Sequence, residues 1–366
     1  MALLDPLFKL CVEKGASDLH MSTRAVPMLR LDGVMQNIEG HPETTPEAMK
    51  KYLSEILPEK MRDEFEKTGD ADFAYEIVGC ARFRCNYFMD MNGMGGVFRV
   101  IPSKVPTVKE LNLSQHVVDL CHLKKGLVLV TGPTGSGKST TLAALINHIN
   151  TIRNDHIITI EDPIEFTYAN NKCLVNQRQV HRHTESFKKA LRAALREDPD
   201  IVLVGEMRDL ETIEIALETA ETGHLVFATL HTNTAASAVD RIIDQFPSGQ
   251  QNQIRSMLAS ALKAVIAQVL CRRIGKGRVA ALEVLVVNNA VASNIREAKT
   301  HQLTSAMQVG QAIGMRLLND ALLDLVKSKT IDPMEGYLNS IDKKTFIASL
   351  VGAGFTIDTS KLGQVI

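Results

Sequence analysis

The stretch that most constrains this chain is Gly132-Pro133-Thr134-Gly135-Ser136-Gly137-Lys138-Ser139-Thr140. An apolar run, Leu127-Val128-Leu129-Val130 closed by Thr131, leads into it, and a helix-forming run, Leu142-Ala143-Ala144-Leu145-Ile146, follows. The order is strand, glycine-rich loop, helix, and the spacing fits G-x-x-x-x-G-K-[ST]. Glycines at 132, 135 and 137 let the backbone turn tightly and aim its N–H groups inward as an anion nest. The helix starting near Lys138 adds the positive end of its dipole. In that arrangement Lys138 reaches the β- and γ-phosphates, Ser139 offers a hydroxyl to Mg²⁺ and Thr140 touches the α-phosphate. The plain alternative is a glycine-rich turn without a ligand; the full match in a strand–loop–helix setting argues against it. The expectation is ATP or GTP bound with Mg²⁺.

Downstream, strand and helix patterns alternate, the signature of a parallel sheet. The next apolar strand is Ile157–Ile160, followed by Glu161-Asp162-Pro163-Ile164-Glu165. An amphipathic helix is expected over about 186–196, then the strand Ile201–Val204 ending in Gly205-Glu206, a helix over about 210–221, and the strand Leu225–Leu230 ending at His231. Polar residues therefore cluster at the C-terminal ends of successive strands, the edge where open parallel sheets bind ligands. Glu206 stands where a Walker B acid belongs, with Gly205 in place of the usual aspartate. Hydrolysis needs a carboxylate to orient and deprotonate water, and carboxylates around Mg²⁺, directly or through water. Glu165 and Glu206 are the candidates for the base, and spacing does not choose between them; Ser139, Glu161, Asp162 and Glu206 are the candidates around the metal. The strand over 157–162 falls between the loop strand and the Glu206 strand, which suits RecA-like motors better than small-molecule kinases. His231 reads as a strand-end hydrogen-bonder or as a sensor of the γ-phosphate that positions Glu206. His224, at the other end of that strand, reads the same two ways. His181 and His183, with Arg178 and Arg182, read as a polar loop without metal-ligand spacing. Beyond Ala235 the pattern reads as helices over about 235–245 and 250–271, a strand over 278–287, and helices to about 351.

The first hundred residues read differently. A helix over 3–14 stops at Gly15, two short strands flank Asp32-Gly33, a helical stretch over 46–67 breaks near Pro58, and strands return over 71–78, 81–90 and 96–101. Within this α+β unit Arg82 and Arg84 share one sheet face, with Phe83 on the other. With Arg99 they read either as a solvated polar face or as a face that meets phosphates. Pro102 to Pro106 reads as a linker. The expected organisation is an N-terminal domain over 1–101, a linker over 102–107, an ATPase domain over 108–354 and a loose tail over 355–366.

With 366 residues the chain is long enough for two cored domains, and its formal net charge of −1 argues against general nucleic-acid or anionic-membrane binding. Six cysteines are scattered without a C-x-x-C pair, so neither zinc nor a disulfide framework is suggested. No apolar run approaches the ~20 residues of a membrane span. Residues 1–10 lack a basic signal-peptide start, and a cytoplasmic location is expected.

Taken together these boxes resemble the secretion and type IV pilus motor ATPases, most closely the PilT-type retraction branch, over about residues 1–350. The carriers are Gly15-Ala16-Ser17-Asp18-Leu19-His20, the loop 132–140, the acidic box 161–165, Glu206-Met207-Arg208-Asp209, and Gly223-His224 through His231-Thr232-Asn233. The resemblance implies an α/β fold, a RecA-like P-loop ATPase domain behind a smaller N-terminal α+β domain of PAS-like type. It also implies ATP with Mg²⁺, a homo-hexameric ring with its active site between domains and subunits, and an inner-membrane pilus platform protein as partner, alongside a pilus assembly ATPase. Membrane contact comes only through partners, at the inner face, and no nucleic acid is involved. By the same resemblance Glu165 and Glu206 are the water-activating and Mg²⁺-organising pair, His231 senses the nucleotide state, and Arg82, Arg84 and Arg99 match the arginines that a neighbour supplies to the phosphates. The segment Ala290–Glu297 departs from the branch's Ala-Ile-Arg-Asn-Leu-Ile-Arg-Glu stretch at Ala292 and Asn294, which reads as a divergent retraction motor. Alternatives are an assembly or type II secretion ATPase of the same superfamily, a DNA-translocating RecA-like motor, and a non-hydrolysing nucleotide-binding regulator.

Overall fold

A computed structural model describes residues 2–31, 33–101 and 105–357. Asp32 of the expected Asp32-Gly33 turn, residues 102–104 of the expected linker and residues 358–366 of the expected tail lie outside the described residues. The chain divides into two compact units, Met1–Lys104 and Val105–Ile366.

The first unit is a six-stranded antiparallel sheet with helices on one face. Its strands are β1 (Asp18–Ser22), β2 (Met28–Leu31), β3 (Val34–Asn37), β4 (Asp70–Ile77), β5 (Ala81–Asp90) and β6 (Gly93–Ile101), in the order β3-β2-β1-β6-β5-β4. Alternation separates the two faces. Leu19, Phe98, Cys85 and Phe73 stand side by side across the strands and are buried. They pack with residues of the helices Asp5–Glu13, Pro46–Ile56 and Glu59–Thr68. Phe8 stacks on Phe83 with ring centres 4.4 Å apart and meets Phe98 edge-on, and the buried Tyr87 hydroxyl donates to the Leu53 carbonyl at 3.0 Å. Burial of such rings, with the polar handle satisfied, holds the helices on the sheet.

The second unit carries a seven-stranded sheet, β7 (Gly126–Thr131), β8 (His156–Glu161), β9 (Leu174–Gln179), β10 (Ile201–Val204), β11 (Leu225–Leu230), β12 (Leu262–Arg272) and β13 (Arg278–Val286), in the order β13-β12-β7-β11-β10-β8-β9. All neighbours are parallel except the β12–β13 pair. Both faces are covered, which is why β7, β10 and β11 read as unbroken apolar runs. Leu127, Leu129, Val202, Val204 and Val226 pack with helices Leu210–Glu221, Ala235–Asp244 and Ser248–Ala261. Val128, Val130, Ile201, Leu203 and Phe227 pack with helix Lys138–Ile152.

The structure differs from two of these expectations. The helix expected over 250–271 ends at Ala261, and Leu262–Arg272 is the strand β12. A fully buried apolar run has the same pattern in helix and strand. The β-branched Val265, Ile266 and Val269 and the ladders to β7 and β13 decide for strand. Second, the strand lying in space between the loop strand and the Glu206 strand is β11, not the one over 157–162: β8 sits beyond β10. The inserted-strand arrangement holds, with a different strand filling it. Among the described residues no helix is long and apolar enough to cross a membrane.

Candidate active site

The site is built at the C-terminal edge of the parallel sheet. Gly132, Gly135 and Gly137 have φ of 145°, 78° and 87°. A Cβ on Gly132 would stand 2.3 Å from the Gln268 backbone oxygen, so glycine is required there for space as well as for conformation. Lys138 opens the helix Lys138–Ile152, and its Nζ donates to the carbonyls of Gly132 at 2.8 Å and Pro133 at 3.1 Å. Burial pulls the Lys138 pKa down, while the charges of Glu206 and Glu165 push it up. Both carboxylates therefore act on the loop lysine. Ser139 and Thr140 are half-buried, and Pro133, Thr134 and Gly135 are exposed. The buried hydroxyls of Thr131, Ser136 and Thr232 have no hydrogen-bond partner within the protein. Three positive-φ glycines, a lysine, a helix N-terminus and orphaned hydroxyls form a donor set that fits a polyphosphate.

Neighbouring strands bring the acids. Glu206 follows β10, with Oε1 3.0 Å from His231 Nε2 and Oε2 2.7 Å from an Arg208 guanidinium nitrogen. Burial alone would raise the Glu206 pKa; the Arg208 hydrogen bond and the His231 contact outweigh it and hold the carboxylate below its ordinary value. Gly205 is explained by crowding, since a Cβ there would lie 3.0 Å from the Ile160 carbonyl oxygen and 3.2 Å from the Glu161 Cα. That carbonyl accepts the Gly205 N–H at 2.7 Å, and the Thr229 hydroxyl donates to the Gly205 carbonyl.

Glu161 ends β8, is buried, and accepts from the Thr159 hydroxyl at 2.6 Å and the Gln177 amide at 3.2 Å. Burial lifts its pKa to about 7, against the pull of these bonds and of the Glu165 backbone N–H. Glu161 thus ties down the turn that presents the exposed Glu165. Asp162 is exposed and adds to the field on Arg208. No group of three or more acids, histidines or cysteines among the described residues forms a metal cage.

His224 lies at the start of β11, on the opposite edge, where its ring satisfies the Thr219 carbonyl at 3.1 Å. His181 and His183 lie in the turn after β9, away from β7 across three intervening strands. In the first unit, Arg84 and Arg99 are direct cross-strand neighbours and Arg82 pairs with Ile101, all on the face opposite Phe83 and Phe98. Arg99 Nε donates to Asp18 Oδ1 at 2.9 Å; Asp18 is itself buried and also lies 3.9 Å from Arg30. Arg84 Nε lies 3.9 Å from the exposed Asp72.

Three residues at these sites were missed by sequence reasoning. Arg208 sits inside the Glu206–Asp209 box, where Asp209 caps the next helix by accepting from Thr212 N at 2.8 Å, and its position two after the acid was the available signal. Asp18 lies in the Ser-Asp-Leu-His box, and its strand pairing with both Arg30 and Arg99 gives it a task. Gln268 was hidden by the helix expected over its strand.

A glycine-rich phosphate loop at the C-terminal edge of a parallel sheet, with one strand between it and the strand bearing the acid, defines a RecA-like P-loop nucleotide-binding protein. The family of type II/IV secretion system proteins matches residues 1–276, and the chain belongs to that family. It is 50% identical over 320 residues to the type IV pilus retractation ATPase PilT of Pseudomonas aeruginosa, covering 87% of this chain and 93% of that protein. It is 49% identical over 308 residues to a twitching motility protein of Neisseria gonorrhoeae, covering 84% and 82%. A crystal structure of the pilus retraction motor PilT with bound ADP superposes with a TM-score of 0.87 at 46% identity, covering 94% of this chain and 98% of that one.

Proposed function

We propose that this chain is the subunit of a hexameric ATPase that powers type IV pilus retraction. The observation that carries the reading is the carboxylate of Glu206, oriented by His231 and Arg208 beside a lysine-bearing phosphate loop. Its likeness to PilT over nearly the whole length of both chains supplies the pilus as the object of the work.

In this reading the loop N–H groups and Lys138 hold the β- and γ-phosphates of ATP. Mg²⁺, when bound, neutralises charge on the phosphates, with Ser139 as its protein ligand and the nearby acids acting through water. Glu165 and Glu206 orient the attacking water and take its proton. As the phosphate–phosphate bond breaks, Lys138 stabilises the charge left on the ADP side. Loss of the γ-phosphate changes what the Glu206–His231 pair faces, which makes His231 the reporter of nucleotide state. Arg82, Arg84 and Arg99 of a neighbouring subunit complete the charge clamp. The ring passes the resulting movement to an inner-membrane platform protein at the cytoplasmic face.

Steady-state ATPase activity against protein concentration tests this, for the native chain, Glu206→Ala and Arg82→Ala. Activity should rise cooperatively with concentration and collapse in both variants. Concentration-independent activity that survives Arg82→Ala would mean a site complete within one subunit and would end the ring reading.

A further inference from the structure

Gln268 lies on β12, 2% exposed, and both ends of its amide are committed to the phosphate loop. Nε2 donates to the Ser136 carbonyl at 2.6 Å, and Oε1 accepts from the Thr141 hydroxyl at 2.7 Å. Which way round the amide stands is set by the first bond, because a carbonyl only accepts and must meet Nε2, which leaves Oε1 for the Thr141 hydroxyl. The first bond also fixes a peptide plane. In a trans peptide the carbonyl and the next N–H point in opposite directions. Anchoring the Ser136 carbonyl to β12 therefore turns the Gly137 N–H away from Gln268.

The fit leaves no slack. A Cβ on Gly137 would lie 2.8 Å from Gln268 Nε2, and one on Gly132 2.3 Å from the Gln268 backbone oxygen. Gln268 thus touches the loop at its start, at its final turn and in the first turn of the following helix. β12 also runs beside β7, with Ala267 opposite Thr131, so the amide projects from a rigid neighbour and not from a loop.

We propose that Gln268 is a positioning residue that holds the phosphate loop in its anion-binding shape and so sets the affinity for nucleoside di- and triphosphates. This rests on the reading of the loop as a nucleotide site. Gln268 → Met fills the same volume without either hydrogen bond and leaves the Ser136 carbonyl buried and unpaired. The loop then samples other peptide orientations, and binding must first restore the right one.

The test is calorimetric titration of the full chain with Mg-ADP, together with the KM and kcat for ATP. Gln268→Met should weaken Mg-ADP binding about tenfold and raise KM by more than it lowers kcat. Thr141→Val, which strips the donor from Oε1, should weaken binding about threefold, and Thr141→Ser, which keeps the hydroxyl, should restore native affinity. Native affinity in Gln268→Met overturns the proposal. So does a Thr141→Ser protein as weak as Thr141→Val, and this pair decides the matter if Gln268→Met is recovered unfolded. A native chain that binds no Mg-ADP would instead remove the nucleotide reading itself.

Discussion

In the seven-stranded sheet the ionisable groups of the candidate site stand at strand ends, and in the antiparallel sheet the arginines stand across a face. The difference shows in how they are held. Glu206 has a partner on each oxygen, Glu161 is buried under two side-chain hydrogen bonds, and Lys138 caps two loop carbonyls. Among the described residues, Arg99 Nε is tied to Asp18 and Arg84 lies 3.9 Å from the exposed Asp72. The first cluster is internally braced; in the second the Arg84 and Arg99 side chains are 43% and 64% exposed. A braced cluster acts on what enters it, whereas a row of exposed guanidiniums suits docking onto charge brought by another body.

That contrast is sharpened most by Glu206→Gln. The change removes the charge that His231 and Arg208 grip, and kcat should fall by about 10²–10⁴ while Mg-ADP still binds. A variant that loses ADP binding equally would make Glu206 a structural brace and blur the distinction.

A smaller effect is expected on the antiparallel side. Asp18→Asn removes the charge that orients Arg99 and Arg30, and ATPase activity of the assembled protein should fall about tenfold, with Mg-ADP affinity unchanged. A drop in thermal stability with full activity would reduce the arginine face to a solvated surface.

The smallest effect is on pH dependence. Glu283, buried on β13, accepts from the backbone N–H of Ala235 at 2.8 Å and of Leu318 at 3.3 Å. Burial raises its pKa above the ordinary 4.5, against the pull of those two bonds. A carboxyl raised in the folded state keeps its proton longer there than in the unfolded chain. Its contribution to stability is therefore present in full below pH 4.5 and is lost as pH rises through the folded pKa. Glu283→Gln should flatten the fall of the melting temperature across that window. An unchanged slope would assign the pH dependence to other groups.

Much of this was legible in the chain. Glycine spacing and strand-end polarity marked Lys138, Glu165, Glu206 and His231, because those signals are local. Alternation around Phe83 placed Arg82 and Arg84 on one face. What was not legible depended on pairing. β12 looked helical because a run buried on both sides carries no period, and with it went Gln268. Asp18 looked like a family mark until strand register set it between Arg30 and Arg99. Gly205 looked like a missing acid until the backbone of β8 proved to occupy the space a side chain would need.

We propose that loop and arginine face come from different subunits, an arrangement that makes one working site. It is tested most directly by mixing two inactive proteins, Lys138→Ala and Arg84→Ala, in equal amounts and measuring ATPase activity. Each alone should be nearly silent, Lys138→Ala for want of phosphate binding and Arg84→Ala for want of the neighbour's charge. In the mixture some sites pair an intact loop with an intact arginine face, and activity should reappear. A mixture as silent as its components, with mixed assemblies shown to form, would contradict the shared site.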